Sequence, residues 1–154
     1  MHMTASLIKS SQTNMKAFFI DGPGGIRKTY LYIVLLAILR SNQHIALVAA
    51  TSRVAASNMP VARIAHSRFK LLPNIDNTTT CKVHKQSSTA NLLKAAKLII
   101  LDEASLAKRY AIELVNEMLK DIMESKLPFG GKIIVLGGDF RQILPITPRK
   151  TREE

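Results

Sequence analysis

FFIDGPGGIRKT, Phe18–Thr29, places three things in order: an apolar strand, a glycine-rich loop and the start of a helix that continues through Tyr30. Gly22, Lys28 and Thr29 match the phosphate-loop pattern GxxxxGK[ST]. In that pattern backbone N–H groups at a helix N-terminus cradle phosphates, the lysine reaches the outer phosphates, and the hydroxyl binds magnesium. The expected nucleotide-binding stretch is Gly22, Pro23, Gly24, Gly25, Ile26, Arg27, Lys28, Thr29 and Tyr30. Arg27 stands where the pattern has its last glycine. Glycine there permits an unusual torsion and close approach to phosphate, so a side chain is expected to cost about 1–3 kcal/mol in strain, while its charge favours a polyanion. A glycine turn that binds nothing is the bland alternative.

Outward from this loop, four short apolar runs read as buried strands: Ala17–Ile20, Ile45–Ala50, Leu98–Leu101 and Ile133–Leu136. Helical patterns lie between them. Ala111, Leu114, Val115, Met118, Leu119 and Ile122 recur at steps of three and four, opposite Glu113, Glu117 and Lys120, and Pro128 with Gly130-Gly131 ends the pattern. Strands alternating with helices predict an α/β fold, a parallel sheet with helices on both faces and ligands at the carboxyl ends of the strands. The stretch from Ser52 to Lys97 is less regular, interrupted by Pro60, Pro73 and the polar run Asn74–Thr80.

Two more strands deliver polar groups to that edge. Leu98-Ile99-Ile100-Leu101 ends in Asp102-Glu103, about 70 residues after the phosphate loop. In a nucleotide-hydrolysing site Asp102 would hold magnesium through its water shell, and Glu103 would polarise the attacking water. Alone, such a pair is a solvated turn; with an upstream phosphate loop it reads as a Walker B segment. Ile133–Leu136 leads through Gly137-Gly138-Asp139-Phe140-Arg141 to Gln142. An amide both donates and accepts hydrogen bonds, so Gln142 could link the terminal phosphate to neighbouring segments.

FFIDGPGGIRKT, AHSRFK at Ala65–Lys70, LDEAS at Leu101–Ser105 and PFGGKIIVLGGDFRQILPITP at Pro128–Pro148 together closely resemble the petite-integration-frequency family of superfamily-one DNA helicases, which includes Helitron transposon helicases. The resemblance runs from about Lys16 to Arg149. It implies a P-loop NTPase of RecA-like fold that hydrolyses ATP with magnesium and moves 5′ to 3′ on single-stranded DNA to open forks. Telomere maintenance, recombination and repair, and a nuclear location, come with it. It assigns Lys28 and Thr29 to phosphate and magnesium, Asp102 and Glu103 to magnesium and water activation, and Gln142 to phosphate sensing. Thr51, Ser52, His66, Ser67, Arg68 and Phe69 fall near the DNA strand, although Phe69 reads equally as a core residue. Departures are Arg27, Ile26 for the usual threonine, Arg53 for the usual glycine after Thr51-Ser52, and no evident adenine-reading glutamine motif before Lys16, Gln12 being no clear substitute. One motor domain is expected over 1–154, with an N-terminal segment 1–15 and a tail 149–154. The helicase core is then incomplete, a fragment or a relic, and a second motor domain or longer homologous helicase is the expected partner.

Composition agrees with nucleic acid as partner. Twenty-two Lys and Arg against 11 Asp and Glu leave a net charge of +11 in 154 residues, which favours nucleic acid or an anionic membrane surface. From Arg53 to Lys97, Arg53, Arg63, Arg68, Lys70, Lys82, Lys85, Lys94 and Lys97 face a single acid, Asp76. One cysteine, Cys81, excludes an internal disulfide and a cysteine-based zinc cluster. His2, His44, His66 and His84 show no metal spacing, and no signal peptide is evident. The longest apolar run, Leu31–Leu39, is about nine residues against the roughly 20 of a membrane span and reads as a buried helix. The alternative function is a catalytically inactive fragment that holds single-stranded DNA through a basic face; a small P-loop kinase lacks any sign of a lid or acceptor site.

Overall fold

Runs of Ile, Val, Leu and Ala cover both faces of an extended chain with apolar groups, so such strands are stable only inside a sheet covered on both sides. In the computed structural model, described for residues 5–6, 16–23, 26–57, 59, 62–71 and 83–142, the runs form four inner strands. These are β2 (Ala17–Asp21), β3 (Ile45–Ala50), β5 (Ala96–Asp102) and β6 (Ile133–Gly138), with two-residue edge strands β1 (Ala5–Ser6) and β4 (Arg63–Ile64). The sheet order is β1-β2-β6-β5-β3-β4; all neighbours are parallel except β1 against β2. Three inner strands run one or two residues past their apolar runs and end on Asp21, Asp102 and Gly138. Those extra residues carry polar chemistry to the carboxyl edge.

Both faces are covered. Strand alternation sends Leu47 and Ala49 of β3 into a core shared with Ile99, Leu101 and Ile134, packed under α4 (Ser88–Ala95) and α5 (Arg109–Met123). It sends Ala46, Val48 and Ala50 to the other face, with Leu98, Ile100 and Val135, under α1 (Ile26–Ser41) and α2 (Arg53–Ser57). Each fully buried Leu, Ile or Val contributes roughly 1.5–3 kcal/mol. The stripe expected on α5 is present: Val115, Met118, Leu119 and Ile122 are buried, with Ala111 and Leu114 partly so. The helix stops earlier than Pro128, at Met123, where Glu124 turns into the left-handed region at φ 51°. Pro128–Gly131 instead form a 3₁₀ turn tied back to α5 by Phe129 N–H donating to Asn116 Oδ1 at 2.7 Å.

The Leu31–Leu39 run is helical but buried on one face only. Tyr32 and Leu36 are enclosed, whereas Ile33 and Ile38 are 39% and 53% exposed, because α1 has the sheet on a single side. Among the described residues no helix is long and apolar enough to cross a membrane. Segment 1–15 apart from β1, Gly24-Gly25, Pro60, Pro73, Asn74–Thr80, Cys81, Lys82, the stretch from Ile143 to Pro148 and the tail 149–154 lie outside the described residues.

Gly137 has no room for a side chain: a Cβ there would lie 1.7 Å from Tyr32 Oη and 2.9 Å from Asp102 Oδ1. Tyr32 is wholly buried, so its ring cannot swing aside cheaply. Gly137→Ala is expected to destabilise the domain by roughly 1–3 kcal/mol, the usual cost of overpacking. Thermal unfolding followed by circular dichroism checks this, as a midpoint several degrees lower.

Candidate nucleotide site

The carboxyl ends of the parallel strands β2, β3, β5 and β6 lie along one edge, with Asp21, Thr51, Asp102 and Asp139 at the end of each strand or just after it. The loop after β2 is stitched to β6 by Gly22 N–H donating to the Gly138 carbonyl at 3.1 Å. Lys28, in the first turn of α1, is 7% exposed. A buried ammonium needs acceptors. Lys28 Nζ donates to the Gly22 carbonyl, to Pro23 O at 3.5 Å and to Gly138 O at 3.0 Å, so three carbonyl oxygens hold it over the loop. The 16-residue α1 has no acidic residue in its first turn, which leaves the positive end of its dipole and its first N–H groups to attract an anion.

Arg27 differs from expectation. It lies inside α1, it is exposed, and among the described residues it is not one with positive φ; those outside the glycines are Gln43, Lys70, Glu103, Glu124 and Phe129. The torsional strain expected of a side chain at this position is therefore absent. Thr29 is half-buried one turn below the loop, and Tyr30 is 67% exposed. Gly24, Gly25 and the side chain of Ile26 lie outside the described residues.

Asp102 ends β5 beside β6 and is 8% exposed. Burial pushes its carboxyl above the usual carboxylate range; a backbone hydrogen bond at Glu103, the Lys28 charge and the Tyr32 hydroxyl oppose that, and the Glu103 charge adds a little to it. Tyr32 Oη donates to Asp102 Oδ1 at 3.3 Å, and burial, then the Asp102 charge and this bond, raise its pKa far above that of a free tyrosine. Glu103 follows with φ 53° and ψ 32°, a left-handed conformation that turns the chain into the 3₁₀ segment Ala104–Leu106. Its Oε2 accepts from Ser52 Oγ at 2.7 Å and from Thr51 Oγ1 at 3.4 Å, while Thr51 Oγ1 also donates to Glu103 O at 3.2 Å. Thr51 and Ser52 thus meet the Glu103 carboxylate across the β3–β5 boundary.

Beyond β6, Asp139 is buried and its N–H donates to Ser105 Oγ at 3.3 Å. Asp139 Oδ1 accepts from Arg141 N at 3.0 Å and Arg141 Nε at 3.2 Å. Phe140 N–H donates to Asp21 Oδ1 at 3.3 Å, and its ring stacks on Phe19 with centroids 4.7 Å apart. Gln142 closes the 3₁₀ turn Phe140–Gln142 at this edge; its side chain, like that of His66, lies outside the described residues. Sequence reasoning passed over Tyr32, Ser105, Asp21 and Asp139. Tyr32 was within reach, since it lies four residues after Lys28 and so on the same face of α1.

Two of the residues that the resemblance places near DNA are buried here, and for Phe69 the core reading is the one the fold takes. Phe69 is fully buried in the core under α4 and α5, with no ring face open to stack on a base. Arg68 is 8% exposed, and burial, then the nearby Arg63 charge, lower its pKa from the usual arginine value. Ser67 is exposed, as are Arg53, Arg63, Lys70, Lys94 and Lys97. Lys85 is engaged by Asp121 at 3.2 Å and Glu124 at 3.4 Å.

Comparison with known proteins gives consistent findings. The family model described as PIF1-like helicase matches residues 3–154. The ATP-dependent DNA helicase Pif1 of Psychrobacter sp. is 27% identical over 135 residues, covering 87% of this chain and 20% of that protein. Unliganded Pif1 from Bacteroides sp. superimposes with a TM-score of 0.67 at 28% identity, over 87% of this chain and 30% of that one. Bacteroides Pif1 structures holding ADP-AlF4 and single-stranded DNA superimpose with TM-scores of 0.61 and 0.59 at 25% and 28% identity, over 79% and 75% of this chain and 28% and 27% of theirs. The chain spans between a fifth and a third of these proteins' length. Relatives occur in bacteria and in the eukaryote Candida albicans.

Proposed function

This chain belongs to the PIF1-like helicase family, and from that premise we propose that it forms the nucleotide-binding part of an ATP-dependent DNA helicase motor. The observation that carries the reading is the convergence of Lys28, Asp102 and Glu103 on one sheet edge beside a helix N-terminus. Phosphates would lie on the loop Gly22–Gly25 and the first N–H groups of α1, with Lys28 Nζ exchanging carbonyl oxygens for phosphate oxygens. Magnesium would be held by the Thr29 hydroxyl and the Asp102 carboxylate. Among the described residues no three His, Cys, Asp or Glu side chains cluster to cage a metal, and a lone carboxylate with a hydroxyl suits a hydrated ion completed by phosphate. When bound, the ion neutralises charge on the outer phosphates.

Glu103 would take the proton of the attacking water, held in place by Ser52 and Thr51, and Gln142 would relay the state of the terminal phosphate. By family, the working protein tracks single-stranded DNA 5′ to 3′, opens forked DNA and serves recombination, repair and telomere maintenance, in the nucleus where its host has one. Unwinding requires a second motor domain to close against this one, which a longer protein would supply. Thr51, Ser52, His66 and Ser67 would lie along the strand. The relatives, named as ATP-dependent helicases, do not favour a silent DNA-binding module.

The test is thermal unfolding of the 1–154 chain with ATP and magnesium. Ligand at about 100 times its Kd adds roughly 2.7 kcal/mol, which for a domain of this size raises Tm by about 5–10 °C. Arg27→Gly, which removes bulk beside the phosphates, is expected to lower the ligand concentration needed for half that shift. No shift in either protein would overturn the reading.

A further inference from the structure

Lys28 and Tyr32 stand one turn apart on the buried face of α1, and they close on β6 and β5 together. Lys28 Nζ reaches the Gly138 carbonyl at 3.0 Å, and Tyr32 Oη reaches Asp102 Oδ1 at 3.3 Å. The hydroxyl sits in a space that exists only because residue 137 is glycine, 1.7 Å from where its Cβ would be. Tyr32 is wholly buried, so the group is held by packing against Leu36, Ile100 and Val135 of the same cluster. Filling this volume with hydrocarbon alone would need no hydroxyl and no missing Cβ opposite it. The arrangement is built to bring an O–H donor to one oxygen of a buried carboxylate.

We propose that Tyr32 is a positioning residue for magnesium, holding Oδ1 of Asp102 so that the other carboxylate oxygen is presented to the ion's water shell. The proposal rests on the nucleotide-site reading above. Outer partners that orient a metal-binding group typically change metal affinity by 10–100-fold when removed. A free carboxylate in this space would rotate about χ2, whereas a hydroxyl donor held 3.3 Å from Oδ1 by buried packing favours one orientation.

The experiment uses the 1–154 chain and a fluorescent ADP analogue, titrated first with EDTA present and then with increasing magnesium. Tyr32→Phe keeps the ring and removes only the hydroxyl. The expected result is metal-free ADP affinity within about two-fold of the parent chain and a half-saturating magnesium concentration raised about 10-fold or more. A second arm combines Tyr32→Phe with Asp102→Asn: if the hydroxyl acts through the carboxylate, the double variant should match Asp102→Asn alone. An unchanged magnesium requirement in Tyr32→Phe would overturn the proposal and leave the site reading intact. Loss of metal-free binding in that variant would also overturn it, since the hydroxyl would then serve the fold. Failure of the parent chain to bind nucleotide in either condition would overturn the site reading, and this proposal with it.

Discussion

Replacing Glu103 by glutamine is expected to slow ATP turnover by about 10²–10⁴-fold, the range typical of a lost general base, while changing nucleotide affinity by no more than a few-fold. The substitution keeps the shape and an acceptor oxygen. Ser52 Oγ, 2.7 Å from the carboxylate, and Thr51 Oγ1, 3.4 Å away, both donate, so a glutamine oxygen can receive the same bonds. The left-handed backbone at Glu103 is retained as well. What is lost is the ability to accept a proton from water. Steady-state phosphate release measured beside equilibrium binding of the ADP analogue separates the two quantities. Equal losses of turnover and binding would mean that Glu103 holds the site together and leaves proton transfer to another group.

Lys28→Ala is expected to do the reverse, removing nucleotide binding and hydrolysis together. Charge-assisted hydrogen bonds are worth about 1.5–3 kcal/mol each, so losing a lysine that contacts outer phosphates should weaken affinity by at least about 10-fold per bond lost. Hydrolysis should fall by 10²-fold or more, because the same cation stabilises charge that develops in the transition state. The chain itself should also lose some stability, since the buried Gly22 carbonyl would lose this donor, whereas the Gly138 carbonyl still accepts from Gly22 N–H and Pro23 is exposed to water. Calorimetric titration with ATP and magnesium, paired with thermal unfolding of the free protein, reads both effects. Wild-type affinity in Lys28→Ala would remove the phosphate loop from the nucleotide site.

The site's backbone was legible because its parts are local. A phosphate loop is a strand, a loop and a helix within a dozen residues, and Asp102-Glu103 announces itself as carboxylates following Leu98–Leu101. Arg27 misled in one respect: its strain was inferred from a pattern in which glycine is usual, whereas here α1 begins early enough to place Arg27 at an ordinary helical torsion. Phe69 was open between stacking face and core. Local pattern could not decide, because the core that swallows it is made by Leu93, Leu119 and Ile122, far along the chain.

Sequence alone therefore determined the four inner strands, the apolar stripe of α5, the strand and helix that flank the glycine-rich loop, and the order in which polar residues arrive along the chain. Those features follow from periodicity and short-range spacing, which each segment carries by itself. Tertiary structure decided the rest. The two-residue strands β1 and β4 have no apolar run of their own and exist only through pairing with β2 and β3. The insertion of β6 between β2 and β5 brings Gly138 to Lys28, 110 positions away, and Gly137 to Tyr32. Tyr32 meets Asp102 across 70 residues and Ser52 meets Glu103 across 51. No local preference encodes such meetings, because strand order in a sheet is settled by the packing of the whole chain, and the placing of groups around the candidate site is settled with it.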